Sequence, residues 1–239
     1  MPDGYGMKPF VAALAFAWIA FAAPASAQST PVVVELYTSQ GCSACPPADK
    51  MLHELAKRDD VIPLALHVDY WDYIGWKDEF ASPAHTERQK AYAAAMGSRS
   101  VYTPQMIVNG SDSIVGAKAM QLSEAILEHA MQPRAVELTL QRAGDVLTIR
   151  AAMIEGAASE DMIVQVVRYT PSRSVQITRG ENAGHTMHYA NVVSALDIVA
   201  EWDGSDGLDM TTPVSGNDPV AVLVQKVGHG KIVAAARLP

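Results

Sequence analysis

The chain has only two cysteines in 239 residues. That excludes a disulfide-rich scaffold, and a chain of this length needs no staple to bury a core. A basic run is also missing. Lys and Arg total 18 against 26 Asp and Glu, for a formal net charge of −8. This balance argues against nucleic acid or an anionic membrane surface as a partner. No apolar run after residue 27 is long enough to suggest a membrane span in the mature chain. There is no internal repeat and no long low-complexity tract.

The first residues carry a different signal. Lys8 precedes an apolar run from Phe10 to Ala23, and Ala25-Ser26-Ala27 fits a small-x-small cleavage site. Residues 1–27 therefore read as a secretory signal peptide, with the mature chain starting near Gln28. The expected location is periplasmic or secreted, where a disulfide can persist.

Hydrophobic patterning divides the rest near Gln132-Pro133-Arg134. Before that point strands and helices alternate. Val32–Thr38 is a β-rich run ending at a glycine turn. Pro46 to about Arg58 is helical, with Ala48, Met51, Leu52 and Leu55 on one stripe and Asp49, Lys50, Glu54 and Lys57 on the other face. Val61–Val68 is a second buried strand, and Ser82 or Pro83 opens a helix that stops at Gly97. Gln105–Asn109, the Asn109-Gly110 turn and Ser113–Val115 form a hairpin, and Ala117 to about Met131 closes as a helix. Asn109-Gly110-Ser111 also fits a glycosylation triplet, but the turn is the preferred reading. The order β-α-β-α-β-β-α implies a sheet with parallel pairs and helices on both faces, the order of a thioredoxin-like fold. After Pro133 short strands separated by turns suggest a β-sandwich, at 136–141, 146–150, 163–169, 174–178, 191–198, 219–227 and 232–238. The expected class is α/β: a thioredoxin-like N-terminal domain over 28–133, followed by a mostly-β, sandwich-like C-terminal domain over 134–239.

Cys42 and Cys45 stand in "YTSQGCSACPPADKML", ahead of two prolines and the first helix. A thiolate, not a thiol, attacks a disulfide. The start of a helix favours an anion through its unpaired N–H groups and dipole, so Cys42 is expected to lie against them with a lowered pKa. No Lys or Arg lies between Tyr37 and Asp49 to do this instead. Cys45, one turn further in, is expected to be the more buried thiol. Glu35 interrupts an apolar strand. Either it relays a proton to and from Cys45, or it reaches the surface or an arginine. Thr103-Pro104 precedes the third strand, where a cis-proline would face the dithiol. Tyr70, Trp71 and Trp76 lie in a loop after the second strand and could form an apolar wall for a peptide, or plug the core.

Four blocks, "VVELYTSQGCSACPPADKML", "LALHVDYWDYIGWKDEFASPAHTERQKAYA", "VYTPQMIVNG" and "RGENAGHTMHYANVV", together resemble an uncharacterised family of secreted bacterial proteins with a thioredoxin-like fold (domain of unknown function 1223). The resemblance covers nearly all of the mature chain and implies the fold more firmly than an activity. By similarity to thiol-disulfide oxidoreductases, Cys42 would be the nucleophile, Cys45 the resolving thiol that closes a Cys42–Cys45 disulfide, and Thr103-Pro104 the cis-proline pair. The Ser-Ala between the cysteines is neither the Gly-Pro of thioredoxin nor the Pro-His of the strong periplasmic oxidant, so the direction of exchange is left open.

The expectation is an exported thiol-disulfide oxidoreductase acting on protein or peptide thiols and disulfides, with an unidentified redox-recycling partner and no cofactor. Two alternatives stand beside it. One is a copper or zinc carrier using the cysteines with His67, His185 or His188. The other is a thioredoxin-like binding module whose disulfide is passive.

Overall fold

Along the first strand Val32, Val34, Leu36 and Thr38 alternate with Val33, Glu35 and Tyr37, and every one of them is buried. A strand with no exposed face belongs inside a sheet covered on both sides. In the computed structural model, which describes residue 1 and residues 30–239, that strand is β1 (Val32–Thr38). The signal segment expected over 1–27 lies outside the described residues, Met1 apart.

The elements that follow are α1 (Pro46–Leu55), β2 (Val61–His67), α2 (Pro83–Ala95), β3 (Gln105–Val108), β4 (Asp112–Val115) and α3 (Ala119–Ala130). Then come β5 (Val136–Ala143), β6 (Val146–Met153), β7 (Met162–Gln176), β8 (Thr186–Trp202), β9 (Leu208–Pro213), β10 (Val220–Lys226) and β11 (Ile232–Leu238). The chain is thus mixed α/β, with a large, mostly-β framework and few helices. Two prolines open α1 where their missing N–H groups cost nothing. Ser82 caps α2 by accepting from Ala84 N at 3.2 Å, just before Pro83.

Eight strands form one sheet in the order β11-β10-β7-β8-β2-β1-β3-β4, and β5-β6-β9 form a second. β1 runs parallel to β2 and antiparallel to β3, and β3 is antiparallel to β4. Residue 133 marks a change of pattern, but hydrogen bonding continues past it. β8 pairs in parallel with β2 at Ala65 and Val192, which satisfies an edge that β2 would otherwise expose. The three buried clusters follow strand parity. Val33, Tyr37, Leu64, Tyr92, Val167 and Leu223 fill one side of the large sheet across both halves of the chain. Val34, Leu36, Leu52, Met106, Leu122 and Ile126 pack under α1 and α3 on the other. Val164, Val166, Val222 and Val224 meet Leu147 and Ile149 of the small sheet, so the two sheets bury a shared cluster.

Two strand assignments differ from expectation. The separate strands expected at 163–169 and 174–178 are one, β7, which pairs with the 17-residue β8 in a long hairpin. The gap left between them, Thr170-Pro-Ser-Arg173, holds a proline and three polar residues. Residues 171–174 are exposed because this arm of the hairpin extends beyond the core. β9 was not expected. Its Leu208, Met210 and Thr212 alternate with more exposed residues, a period-two signal obscured by the flanking Gly and Asp residues.

Candidate functional site

Cys42 and Cys45 are joined by a disulfide, with Cα atoms 5.4 Å apart, at the junction of β1 and α1. The loop folds on itself before the helix begins. Cys42 N donates to Ser39 O at 3.1 Å and Cys45 N to Cys42 O at 3.2 Å. The expected bed of unpaired helix N–H groups is thin. Pro46 and Pro47 have no N–H, and those of Ala48 and Asp49 donate to Cys45 O at 2.8 and 3.1 Å. The helix terminus therefore acts on the sulfurs through its dipole rather than through free donors in the first turn.

Burial is the larger correction. Cys45 is fully buried, as expected, but Cys42 is also only 1% exposed. The tip of the β7–β8 hairpin, residues 177–185, is tied to the disulfide loop. Asn182, 7% exposed, donates its side-chain amide to Gln40 O at 2.9 Å and to Cys42 O at 3.1 Å. Gly180 sits at φ +78°, and a Cβ there would come within 3.3 Å of Trp76 Cβ. Below it, a Cβ on Gly41 would meet Trp71 Cβ and Ile74 Cδ1 at 3.2 Å. The two glycines let the tip, the aromatic loop and the disulfide loop stack closely.

The aromatic loop ties the site together. Trp71 Nε1 donates to Thr103 Oγ1 at 2.8 Å, and Trp76 Nε1 to Gln40 Oε1 at 2.7 Å. Thr103-Pro104 is a cis peptide. Tyr37 pairs with Gln105, so Pro104 stands opposite Thr38, at the sheet end that carries the disulfide loop. Tyr70 and Trp71 are half-buried against the core cluster, so plugging is part of their work. Burial pushes the Tyr70 hydroxyl up to about 12, against its hydrogen bonds to Gln89 and Thr103.

Glu35 is not placed to serve Cys45. It shares a face of β1 with Val33 and Tyr37, whereas α1 packs on the face of Val34 and Leu36. Arg88 from α2 donates to it through Nε at 2.6 Å and Nη2 at 3.3 Å, and the Tyr92 hydroxyl at 2.6 Å. Arg88 also donates to Gln165 on β7 and Gln225 on β10. Burial and the neighbouring Glu35 charge hold the Tyr92 hydroxyl well above its usual range. The alternative reading of Glu35, an acid paired with an arginine, is the one that fits.

A second polar cluster, which the helical pattern concealed, lies under the disulfide. Asp49 was read as part of the solvent face of α1, yet it is 4% exposed. It lies one helical turn after Cys45, on the same face. Thr38 and His67, cross-strand neighbours at the ends of β1 and β2, stand beside it with Tyr189 of β8. Asp78 Oδ2 accepts the Gln40 N–H at 2.8 Å and lies 2.7 Å from His67 Nδ1, with both side chains buried. Among the described residues Thr38 Oγ1, both Asp49 oxygens, His67 Nε2 and the Tyr189 hydroxyl have no hydrogen-bond partner. Thr38 and Asp49 face each other without closing a full bond. Burial raises the Asp49 carboxyl to about 7, with Asp78 adding to the rise and His67 and Thr38 opposing it. Its spacing of four from Cys45 was the one sequence signal available.

No cluster of three or more His, Cys, Asp or Glu suited to a metal ion occurs among the described residues. His185 and His188 are exposed on the hairpin, and His188 Nδ1 lies 2.8 Å from Ser174 Oγ. Asn109 forms the expected turn, and its side chain accepts from Val33 N at 2.8 Å. No helix of the described residues is long and apolar enough to cross a membrane.

The chain is similar to the crystal structure of protein AGR_C_4864 from Agrobacterium tumefaciens, at 34% identity and a TM-score of 0.75. The match covers 88% of this chain and 95% of that one. A hypothetical protein from Pyrococcus horikoshii, PH1083, matches at 10% identity and a TM-score of 0.23 over 46% of this chain and 90% of its own, too little to support an argument. No curated protein matches the chain. A family model matches residues 33–225, and on that match the chain belongs to the family described as protein of unknown function (DUF1223).

Proposed function

We propose that this protein is an exported thiol-disulfide oxidoreductase with a thioredoxin-like core, acting on protein or peptide thiols and disulfides. One observation carries the reading: a Cys42–Cys45 disulfide at a strand-to-helix junction, at the same sheet end as a cis Thr103-Pro104. The order β2-β1-β3-β4, with β1 parallel to β2 and antiparallel to β3, supports the thioredoxin-like core. The Lys8, Phe10–Ala23 and Ala25-Ser26-Ala27 pattern supports export.

The buried Cys42 sets the terms of the mechanism. A partner thiolate reaches its sulfur only when the 177–185 tip lifts, breaking the two Asn182 hydrogen bonds. The incoming thiolate attacks Cys42, the Cys42–Cys45 bond breaks, and Cys45 leaves with the electron pair. A second thiol of the partner then displaces Cys42, so the partner ends oxidised and the pair reduced. The reverse sequence reduces a partner disulfide.

The same burial favours a second reading, a binding module with a passive disulfide. Reduction of the native protein by dithiothreitol, and trapping of a disulfide-bearing peptide by the Cys45→Ser variant, separate the two. The redox reading expects reduction without denaturant, a trapped mixed disulfide in Cys45→Ser and none in Cys42→Ser. A disulfide that yields only after denaturation overturns it.

A further inference from the structure

An under-satisfied cluster next to a disulfide calls for a physical account. Buried polar atoms without partners are costly, and native structures keep few of them. Here Thr38, Asp49, His67 and Tyr189 contribute such atoms at one spot, reached from β1, α1, β2 and β8. Asp49 N donates to Cys45 O at 3.1 Å, which sets Asp49 one helical turn after Cys45 on the same face of α1. Both residues are buried, which keeps solvent from supplying a proton to Cys45.

We infer that Asp49 is the proton donor and acceptor for Cys45, and that the His67–Asp78 pair positions the charge it acquires; this rests on the redox reading above. When a thiolate attacks Cys42, the electron pair of the broken S–S bond arrives on Cys45 Sγ. Asp49 passes its proton to that sulfur and becomes a carboxylate. In the return step the carboxylate takes the proton back, and the Cys45 thiolate attacks the Cys42 sulfur of the mixed disulfide and releases the partner thiolate. Each step keeps one negative charge, not two, in the buried space.

The groups facing Asp49 suit this task. His67 Nε2 is unpartnered, while Nδ1 is held at 2.7 Å by Asp78. The ring therefore cannot turn away when the carboxylate forms. Tyr189 and Thr38 offer hydroxyls with no other partner. The carboxyl, raised to about 7 by burial, can both give and take a proton near neutrality. Glu35, whose oxygens are fully engaged by Arg88 and Tyr92, has no such freedom.

The test is the rate at which dithiothreitol reduces the disulfide of the full chain between about pH 5 and 9, divided by the fraction of dithiothreitol present as thiolate. In the unaltered protein the corrected rate is expected to be flat up to about pH 7 and then to fall, towards about tenfold per pH unit. Asp49→Asn should abolish the break and slow the reaction about tenfold or more below pH 7. Asp49→Glu should restore a break, and His67→Gln should move it to higher pH. An Asp49→Asn profile that keeps the break overturns the inference and leaves the redox reading standing. A native disulfide that resists dithiothreitol at every pH overturns both. Should Asp49→Asn not fold, the Asp49 carboxyl carbon resonance of the unaltered protein decides. Its midpoint should move when the disulfide is reduced, and an unmoved midpoint overturns the inference.

Discussion

Glu35 and Asp49 are both buried carboxylates beside β1, one on each face of the sheet, and their surroundings are built on different principles. Glu35 accepts from Arg88 and Tyr92, and Arg88 continues to Gln165 and Gln225, so the acid ties β1 and α2 to strands from the second half of the chain. Asp49 has a histidine, a hydroxyl and a phenol nearby and completes a hydrogen bond with none of them. A satisfied buried ion pair fixes one arrangement, while an unsatisfied acid is free to change its protonation. The first cluster is read as structural and the second as chemical.

Breaking the pair at Glu35 should produce the largest loss of stability. Arg88→Met strands the carboxylate and should cost about 3–5 kcal/mol in chemical denaturation, whereas Glu35→Leu with Arg88→Met should recover much of that. Exchange with dithiothreitol in the folded fraction should be unchanged in both. A lost or slowed exchange would mean that the two clusters are coupled, and the comparison would fail.

Asp49 should show itself in the pH dependence of stability. Its folded pKa of about 7 lies above the ordinary 3.8, so between these values the unfolded chain has already released the proton that the folded chain still holds. Stability from this group therefore falls as pH rises through that window, by up to about 4 kcal/mol, and the loss is complete above it. Asp49→Asn should remove that component of the slope in denaturation curves taken from pH 4 to 8. A slope identical to that of the unaltered protein would contradict the assignment.

The hairpin tip offers a smaller lever. Asn182→Ala removes two hydrogen bonds, worth about 1–2 kcal/mol together. If the tip is what shields Cys42, reduction should accelerate about 5–30-fold, with global stability lowered by no more than that amount. An unchanged rate would place the barrier elsewhere. Tyr73, at 83% exposure on the aromatic loop, should matter least. Tyr73→Ala should leave stability within about 0.5 kcal/mol in a thermal melt and small-thiol exchange untouched. A lower yield of mixed disulfide with a peptide in the Cys45→Ser background would mark the loop as a recognition surface.

Much of the framework was legible because strands and helices have distinct periods. β1, β2, β3, the hairpin to β4, α1, α2, α3 and the final β10–β11 hairpin fall close to their expected ranges. The cysteine pair and its helix could be read locally too, since each is a short motif with a backbone consequence, whereas the cis-proline could be read only from its place before the third strand of the expected order. Asp49 could not. A helical wheel assigns a charged residue to solvent, and nothing in residues 46–55 indicates that β8 covers that side of α1. Asn182 was hidden for a related reason. The loop 177–185 looks like any polar turn until a 17-residue partner strand brings Asn182 onto the disulfide loop.

The sequence alone determined the parts whose physics is local: alternation that makes strands, proline that opens a helix, and two thiols close enough along the chain to join. Only the tertiary structure decided which carboxylate lies under the disulfide and which is tied up by arginine. It also decided that Cys42 is covered. Burial and electrostatic surroundings are set by residues far apart in the chain, such as Arg88 with Gln165 and Cys42 with Asn182, which meet only when the two halves share a sheet.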